Sequence, residues 1–297
     1  MSCPGCYVPV TKSGPHGLPI ENWVEIINNA TQKGAVHLTI VGGEPGARRN
    51  ELHHVVGLAT VTWIVTTFFY EIPAFVKDGT QKPVTFIVSI DGTDDVHNSL
   101  RGVPNLAAIA RQHITTGRDK ARSGGLVYPI FTHSVLLAAN ASVMEETIRQ
   151  WDNFVGIDGM VFSTAVPPRS DPHPSWSPTT QQRADFVKLL LKMKKAGARI
   201  NMSTAQIELL HPDQTRAYKP TTCPISRRVE SYDFLGNLKG QCIFGPGSDC
   251  SQCGCVVNGM IGPFHRTAET GNPMLVQVTQ LLPELSTVEK VTDMIYL

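Results

Sequence analysis

Seven cysteines are distributed unevenly along a chain of 297 residues. Cys3 and Cys6 form a C-x-x-C near the start, and Cys223, Cys242, Cys250, Cys253 and Cys255 fall in the last third. Cys250-Ser-Gln-Cys253-Gly-Cys255 packs three thiols into six residues. An odd, clustered set makes a poor disulfide framework. The opening MSCPGCYVPV has neither the basic leader nor the long apolar run of a secretory signal, so a cytoplasmic, reducing setting is expected. There, crowded thiolates suit iron–sulfur clusters or zinc. Two other short segments have the character of ligand-binding turns. Gly42-Gly43-Glu44-Pro45 and Asp91-Gly92 each follow an apolar run.

The elements that must position these residues follow from the hydrophobic pattern. Charged residues are 17% of the chain and apolar residues 41%, which excludes a disordered polypeptide. A net charge of +1 gives no general nucleic-acid-binding face. The uncharged stretch 55–70 is shorter than the ~20 apolar residues of a membrane span and carries four threonines. It reads as a helix end followed by a buried strand, and no membrane span is expected. Apolar runs at 36–41, 61–67, 84–90, 127–137, 158–166 and 198–203 predict six strands. Between them, helices are predicted from Pro19 to before Gly34 and near 50–58, 104–116, 142–154 and 178–195. Ser142 with Glu145 reads as a capping box, and Ser177 before Pro178 as a helix start. The tail from Ser286 reads as a short helix.

Strands that are continuously apolar and alternate with helices predict a parallel sheet covered on both faces, in a doubly wound sheet or a barrel. In either architecture the ligand lies at the carboxyl ends of the strands, where both short segments fall. No P-loop and no GxGxxG is present. After about residue 204 the alternation gives way to a Pro-, Gly- and Cys-rich stretch that a metal could organise.

Three motifs carry a family resemblance. Cys3-Pro-Gly-Cys6-Tyr7 is similar to the last two cysteines and the aromatic residue of a C-x3-C-x2-C cluster loop. VGGEP at 41–45 resembles a GGEP motif, and SIDGTDDVHNSLRG at 89–102 resembles S-x-D-G-x-x-x-x-H-x-x-x-R-G. In this order they resemble the radical S-adenosylmethionine enzymes. The resemblance implies an α/β fold, a partial parallel (β/α)6-type TIM-like barrel. It also implies a first cysteine four positions before Cys3 and a strand before that. The chain is therefore expected to be N-terminally truncated and, as it stands, poor at cleaving S-adenosylmethionine. WIVTTFFYEI at 63–72 departs from the family's Thr-Asn-Gly strand ending.

The resemblance assigns residues 1–204 to the radical core and 205–297 to a Cys-rich extension with a C-terminal helix. It implies Cys3 and Cys6 as ligands of a catalytic four-iron four-sulfur cluster and Tyr7 beside the adenine. Gly42, Gly43 and Glu44, with Pro45 closing the turn, would receive the methionine amino group of S-adenosylmethionine. Ser89 and Asp91 would lie near its ribose or carboxylate, and Asn140 is a further ligand candidate. His97 and Arg101 read as packing and ion-pair residues. DFLGNLKGQC at 233–242 and DCSQCGC at 249–255 are similar to SPASM and twitch extensions. They imply one auxiliary iron–sulfur cluster on Cys242, Cys250, Cys253 and Cys255, with Cys223 as the alternative to Cys255. The implied function is reductive cleavage of S-adenosylmethionine to a 5′-deoxyadenosyl radical that abstracts hydrogen from a peptide or small-molecule substrate. An electron donor such as flavodoxin or ferredoxin is the implied partner. The alternative from another class is a zinc- or cluster-binding α/β protein without turnover.

Overall fold

The computed structural model describes residues 6, 17–71, 75–77, 80–82, 84–215, 223, 225–226, 229–240, 242–255 and 294–296. Strands β1 (His37–Ile40), β2 (Val61–Thr66), β5 (Val84–Ser89), β6 (Ile130–Leu136) and β7 (Gly159–Thr164) are parallel neighbours. Between β2 and β5 the two-residue strands β3 (Val76–Lys77) and β4 (Thr80–Gln81) form a separate antiparallel pair. Short strands β8 (Val229–Ser231) and β9 (Met294–Tyr296) extend the sheet to the order β7-β6-β5-β2-β1-β9-β8. The five long parallel strands lie side by side in chain order with no reversal. Doubly wound sheets reverse at a switch point, so this order is consistent with a partial α/β barrel.

The helices are α1 (Ile20–Gln32), α2 (Leu52–Val55), α3 (Asp94–Arg101), α4 (Leu106–Ser123), α5 (Met144–Asp152), α6 (Thr180–Lys195), α7 (Thr204–Glu208) and α8 (Pro212–Thr215). Pro19 is the N-cap of α1, immediately before the first helical residue, and Gly34 turns the chain at φ +108° toward β1. Trp23, Ile27 and Ala30 recur at helical spacing and are buried. One face of the sheet carries Phe86, Ile130 and Phe162. Phe86 and Ile130 line a cavity with Ile114 and Ala121 of α4, and Phe162 meets Phe186 of α6 edge to face. The opposite face carries Thr39 beside Trp63, Val65 beside Ile87, Ser89 beside His133, and Val135 beside Ser163.

Several predicted elements are corrected. The strand expected at 198–203 is reduced to one bridge, Ile200 to Met160, because the next ladder donor, the Phe162 N–H, bonds the Met202 sulfur instead of a carbonyl. The helix expected at 50–58 shrinks to α2. The helix expected at 104–116 starts at Leu106 and runs on to Ser123, preceded by the separate helix α3. The Ser142–Glu145 capping box does not form; Val143 is the N-cap of α5 and no side chain caps it. Helix α6 starts at Thr179 rather than Ser177, because Ser177 closes a turn onto Pro174 and Thr179 pairs reciprocally with Gln182. In the expected C-terminal helix, residues 294–296 are strand β9 and residues 286–293 lie outside the described residues.

Arg199 fastens the return from α6 to the sheet. Its guanidinium donates to the carbonyls of Ile157 (2.5 Å), Phe154 (3.1 Å), Trp151 (3.2 Å) and Asp152, and meets the Asp152 carboxylate at 3.3 Å. Two carbonyls of the last turn of α5 and two just beyond it thus depend on one side chain. Arg199→Ala should lower the unfolding free energy by about 2 kcal/mol in chemical denaturation with an unchanged m value.

Candidate functional site

The carboxyl end of β1 runs into Val41-Gly42-Gly43-Glu44. Gly42 sits at φ +138°, where a side chain is disfavoured, and a Cβ built on Gly42 or Gly43 would meet nothing within 4 Å. The pair therefore borders open space at the strand end. Glu44 is held by four donors. Its Oε1 accepts from Gly46 N (2.9 Å) and Thr66 Oγ1 (2.5 Å), and its Oε2 from Thr67 N (2.8 Å) and Thr67 Oγ1 (2.5 Å). Thr66 and Thr67 stand at the carboxyl end of β2, so one carboxylate joins the ends of two neighbouring strands. Thr66 Oγ1 also accepts from Phe68 N at 3.0 Å, and Phe68 is held at φ +56°, rare for a bulky residue.

Asp91 does the same between β5 and β6. It is 4% exposed. Its Oδ1 accepts from Val135 N (3.0 Å), its Oδ2 pairs with Arg101, and its own N–H donates to His97 Nδ1 (3.1 Å). Burial pushes the Asp91 carboxyl up, but the Arg101 guanidinium, His97 and the Val135 N–H together hold it below the usual carboxylate range. His97 is fully buried and accepts at Nδ1, so its proton sits on Nε2, which has no hydrogen-bond partner among the described residues. Asn140 completes the turn. Its Nδ2 donates to Asp91 O (2.7 Å) and Val135 O (2.9 Å), and its Oδ1 accepts from Leu137 N (2.8 Å). Its amide is thus used at both ends as a brace. Ser89, at the end of β5, is half-buried beside His133, whose Nε2 meets Ser163 Oγ at 2.7 Å.

The Cys-rich loop docks at the carboxyl end of β7. Thr164 N donates to Gly254 O, Asp249 N to Pro167 O and Arg169 N to Gly247 O, at 2.8–2.9 Å, so residues 247–254 run antiparallel to 164–169. The approach is close: a Cβ at Gly254 would stand 1.8 Å from Thr164 Oγ1. Gly254 is therefore required between Cys253 and Cys255. Burial pushes the Cys242 thiol up, and Cys223 and Cys250 add to this. Burial likewise raises Cys250, with Cys223 adding to it, and raises Cys253 well above its ordinary value, with Cys255, Cys223 and Cys242 adding to it. Cys223 thus acts on Cys242, Cys250 and Cys253, Cys250 also acts on Cys242, and Cys255 and Cys242 act on Cys253. Cations stand among them: Arg169 acts on Cys250, Cys242 on Lys239, and Cys253 on Arg183. Among the described residues no three His, Cys, Asp or Glu side chains already stand in metal-binding geometry.

Of the residues proposed from sequence, Gly42, Gly43, Glu44, Pro45, Ser89, Asp91 and Asn140 all lie at the carboxyl ends of parallel strands. Cys250 and Cys253 lie on the run that pairs with residues 164–169 beside β7, Cys255 directly follows that run, and Cys242 precedes it in the chain. Cys6 is exposed, while Cys3 and Tyr7 lie outside the described residues. Sequence reading missed Thr66 and Thr67; their signal was position, at a strand end, where the family ending was seen only as a departure. It also missed Arg183, which heads an apolar stripe with Phe186, Val187 and Leu190 on α6. A cavity of about 510 Å³ under α4, lined by Phe68, Phe86, Ile114 and Tyr128 among others, contains none of the proposed site residues. Among the described residues no helix is long and apolar enough to cross a membrane.

No protein-family model and no curated protein matches the chain.

Two buried histidines, His37 at the start of β1 and His97 beside Asp91, give the fold a pH signature. Burial lowers His37 to about 3 and His97 to about 4. In the unfolded chain each binds a proton near pH 6.5, so between pH 6.5 and 4 the unfolded state holds more protons. Stability should therefore fall as pH drops from 6.5 toward 4, by up to roughly 3 kcal/mol per histidine. In His97→Gln the slope of unfolding free energy against pH in that window should be shallower. An unchanged slope would refute the buried neutral His97.

Proposed function

We propose that this chain is the core of a radical S-adenosylmethionine enzyme, a partial (β/α)6-type barrel carrying a Cys-rich auxiliary-cluster extension, and that it acts on a peptide or a small molecule. One observation carries the reading. The open Gly42–Gly43 turn, the Asp91 loop and the thiol-rich loop all stand at the carboxyl ends of parallel strands, where α/β folds bind ligands. The order of the motifs along the chain supports it independently.

The residues fit the group. The Gly42 and Gly43 carbonyls, with no side chain above them, would receive the methionine ammonium. Glu44 acts indirectly: its carboxylate is fully engaged by Gly46, Thr66 and Thr67, so it holds the turn in shape. Asp91 and Asn140 likewise hold the loops after β5 and β6 in shape, and the Ser89 hydroxyl at the end of β5 would donate to the ribose or carboxylate. Cys3 and Cys6 would hold the catalytic cluster. The thiols at 223, 242, 250, 253 and 255 supply soft donors, enough for an auxiliary four-iron cluster, with cations among them that offset thiolate charge. The chemistry that the cluster on Cys3 and Cys6 would supply when bound is passage of one electron from a flavodoxin- or ferredoxin-type donor to the sulfonium, breaking its carbon–sulfur bond to release methionine and a carbon radical that takes hydrogen from the substrate. The protein's part is to orient the sulfonium, exclude water and shield the radical.

Anaerobic reconstitution with iron and sulfide should give a brown protein, and Cys250→Ala/Cys253→Ala should lose about one cluster's iron. Calorimetry on the reconstituted protein should detect S-adenosylmethionine binding. Gly43→Val, which fills open space, should leave the melting temperature unchanged and weaken that binding at least tenfold. A colourless protein that takes up zinc and ignores S-adenosylmethionine would favour the zinc-binding alternative and overturn the proposal.

A further inference from the structure

Arg183 is an anomaly within the fold. It lies on the buried face of α6 and is 4% exposed, yet among the described residues no carboxylate stands at ion-pair distance. Its guanidinium reaches only neutral acceptors: Gln252 O at 3.0 Å, Thr215 Oγ1 at 3.3 Å and Leu210 O at 3.4 Å. Among the described residues its Nε is buried without a hydrogen-bond partner. A buried cation without a counter-charge is costly. The groups that act on it with opposite charge when ionised are Cys253 and Asp249. Asp249 is already engaged by Ser251 and Gln252. Cys253 supplies charge only as a thiolate.

We propose that Arg183 is the built-in counter-charge of the metal centre in the Cys-rich loop, and that it commits this loop to a centre of net negative charge held by thiolates. The inference rests on the reading of that loop as a metal site. A divalent metal or a four-iron cluster held by four thiolates has the required sign, whereas a divalent metal held by two thiolates and two neutral imidazoles has no net charge. Gln252 lies between Cys250 and Cys253, so the same guanidinium that supplies charge also holds the loop by its backbone. Arg183 is a positioning residue and touches no reacting atom. Its stem belongs to the apolar stripe of α6, so the core of the sheet and the metal loop share one side chain. Lys239 beside Cys242 and Arg169 beside Cys250 are the more exposed companions of this charge.

The test is anaerobic titration of the full chain with Co²⁺ alone, read by the sulfur-to-cobalt charge-transfer band and by the metal-induced rise in melting temperature. Arg183→Met keeps the stem and removes the charge, and Arg183→Lys keeps the charge. The Met variant should bind Co²⁺ at least tenfold more weakly and show a smaller rise in melting temperature. Its band at saturation should match wild type, because the ligands are the same. The Lys variant should stay within about threefold of wild type. If the Met variant does not fold, Arg183→Gln takes its place with the same expectation. Equal Co²⁺ affinity in wild type and the uncharged variant would overturn the counter-charge role while leaving the metal site standing. Absence of thiolate-bound cobalt in wild type itself would instead overturn the metal site, and the inference with it.

Discussion

The strand-end region depends on the burial of one charge. Asp91 is taken out of water at the end of β5, and each of its interactions ties a different element to that point. Val135 brings in β6, Arg101 and His97 bring in α3, and Asn140 fixes the turn after β6. A buried carboxylate is tolerated only with a partner cation and further donors, and here both are supplied. Removing any one partner would leave charge or backbone polar groups uncompensated, so the loops can relax little without losing the whole arrangement. His97 contributes only while neutral, because its Nδ1 must accept the Asp91 N–H.

Glu44 repeats this logic two strands away with neutral donors in place of a cation. The two carboxylates pin adjacent strand pairs, β1 to β2 and β5 to β6, and leave Gly42 and Gly43 facing open space. Rigid pins beside an open turn suit a site that must hold a reactive ligand in one orientation. The third support is backbone pairing. The strand-like run from Gly247 to Gly254 lies along the chain leaving β7, and Cys250 and Cys253 are carried on it. Conserving the shape of this region therefore requires two kinds of residue that do no chemistry themselves: the acids, and the glycine at 254 that permits close approach.

Much of this was legible in the sequence because it rests on local pattern. Uninterrupted apolar runs located five strands within a few residues, and Gly-rich or Asp-Gly steps after them located the loops. What was illegible required knowledge of partners. Asn140 reads as a ligand candidate until its amide is seen to be used on Asp91, Val135 and Leu137. Ser142 carries the capping-box pattern, yet the chain enters α5 through a tight turn that Asn140 brackets, and the cap is lost. Thr66 and Thr67 have no meaning apart from Glu44, 22 and 23 residues earlier. The run at 198–203 has strand composition, but Arg199 and Met202 divert its neighbours' hydrogen bonds to side chains.

The central claim is that the open turn at Gly42–Gly43 is the ligand seat and that the pinned acids exist to hold it. Crystallography of the anaerobically reconstituted protein with S-adenosylmethionine tests it most directly. The account predicts the methionine moiety over Gly42 and Gly43, with Glu44 still bound to Thr66 and Thr67 and the Ser89 hydroxyl within hydrogen-bond reach of the ligand. Density for the ligand in the cavity under α4, or at the amino ends of the strands, with the Gly42–Gly43 turn empty, would contradict it.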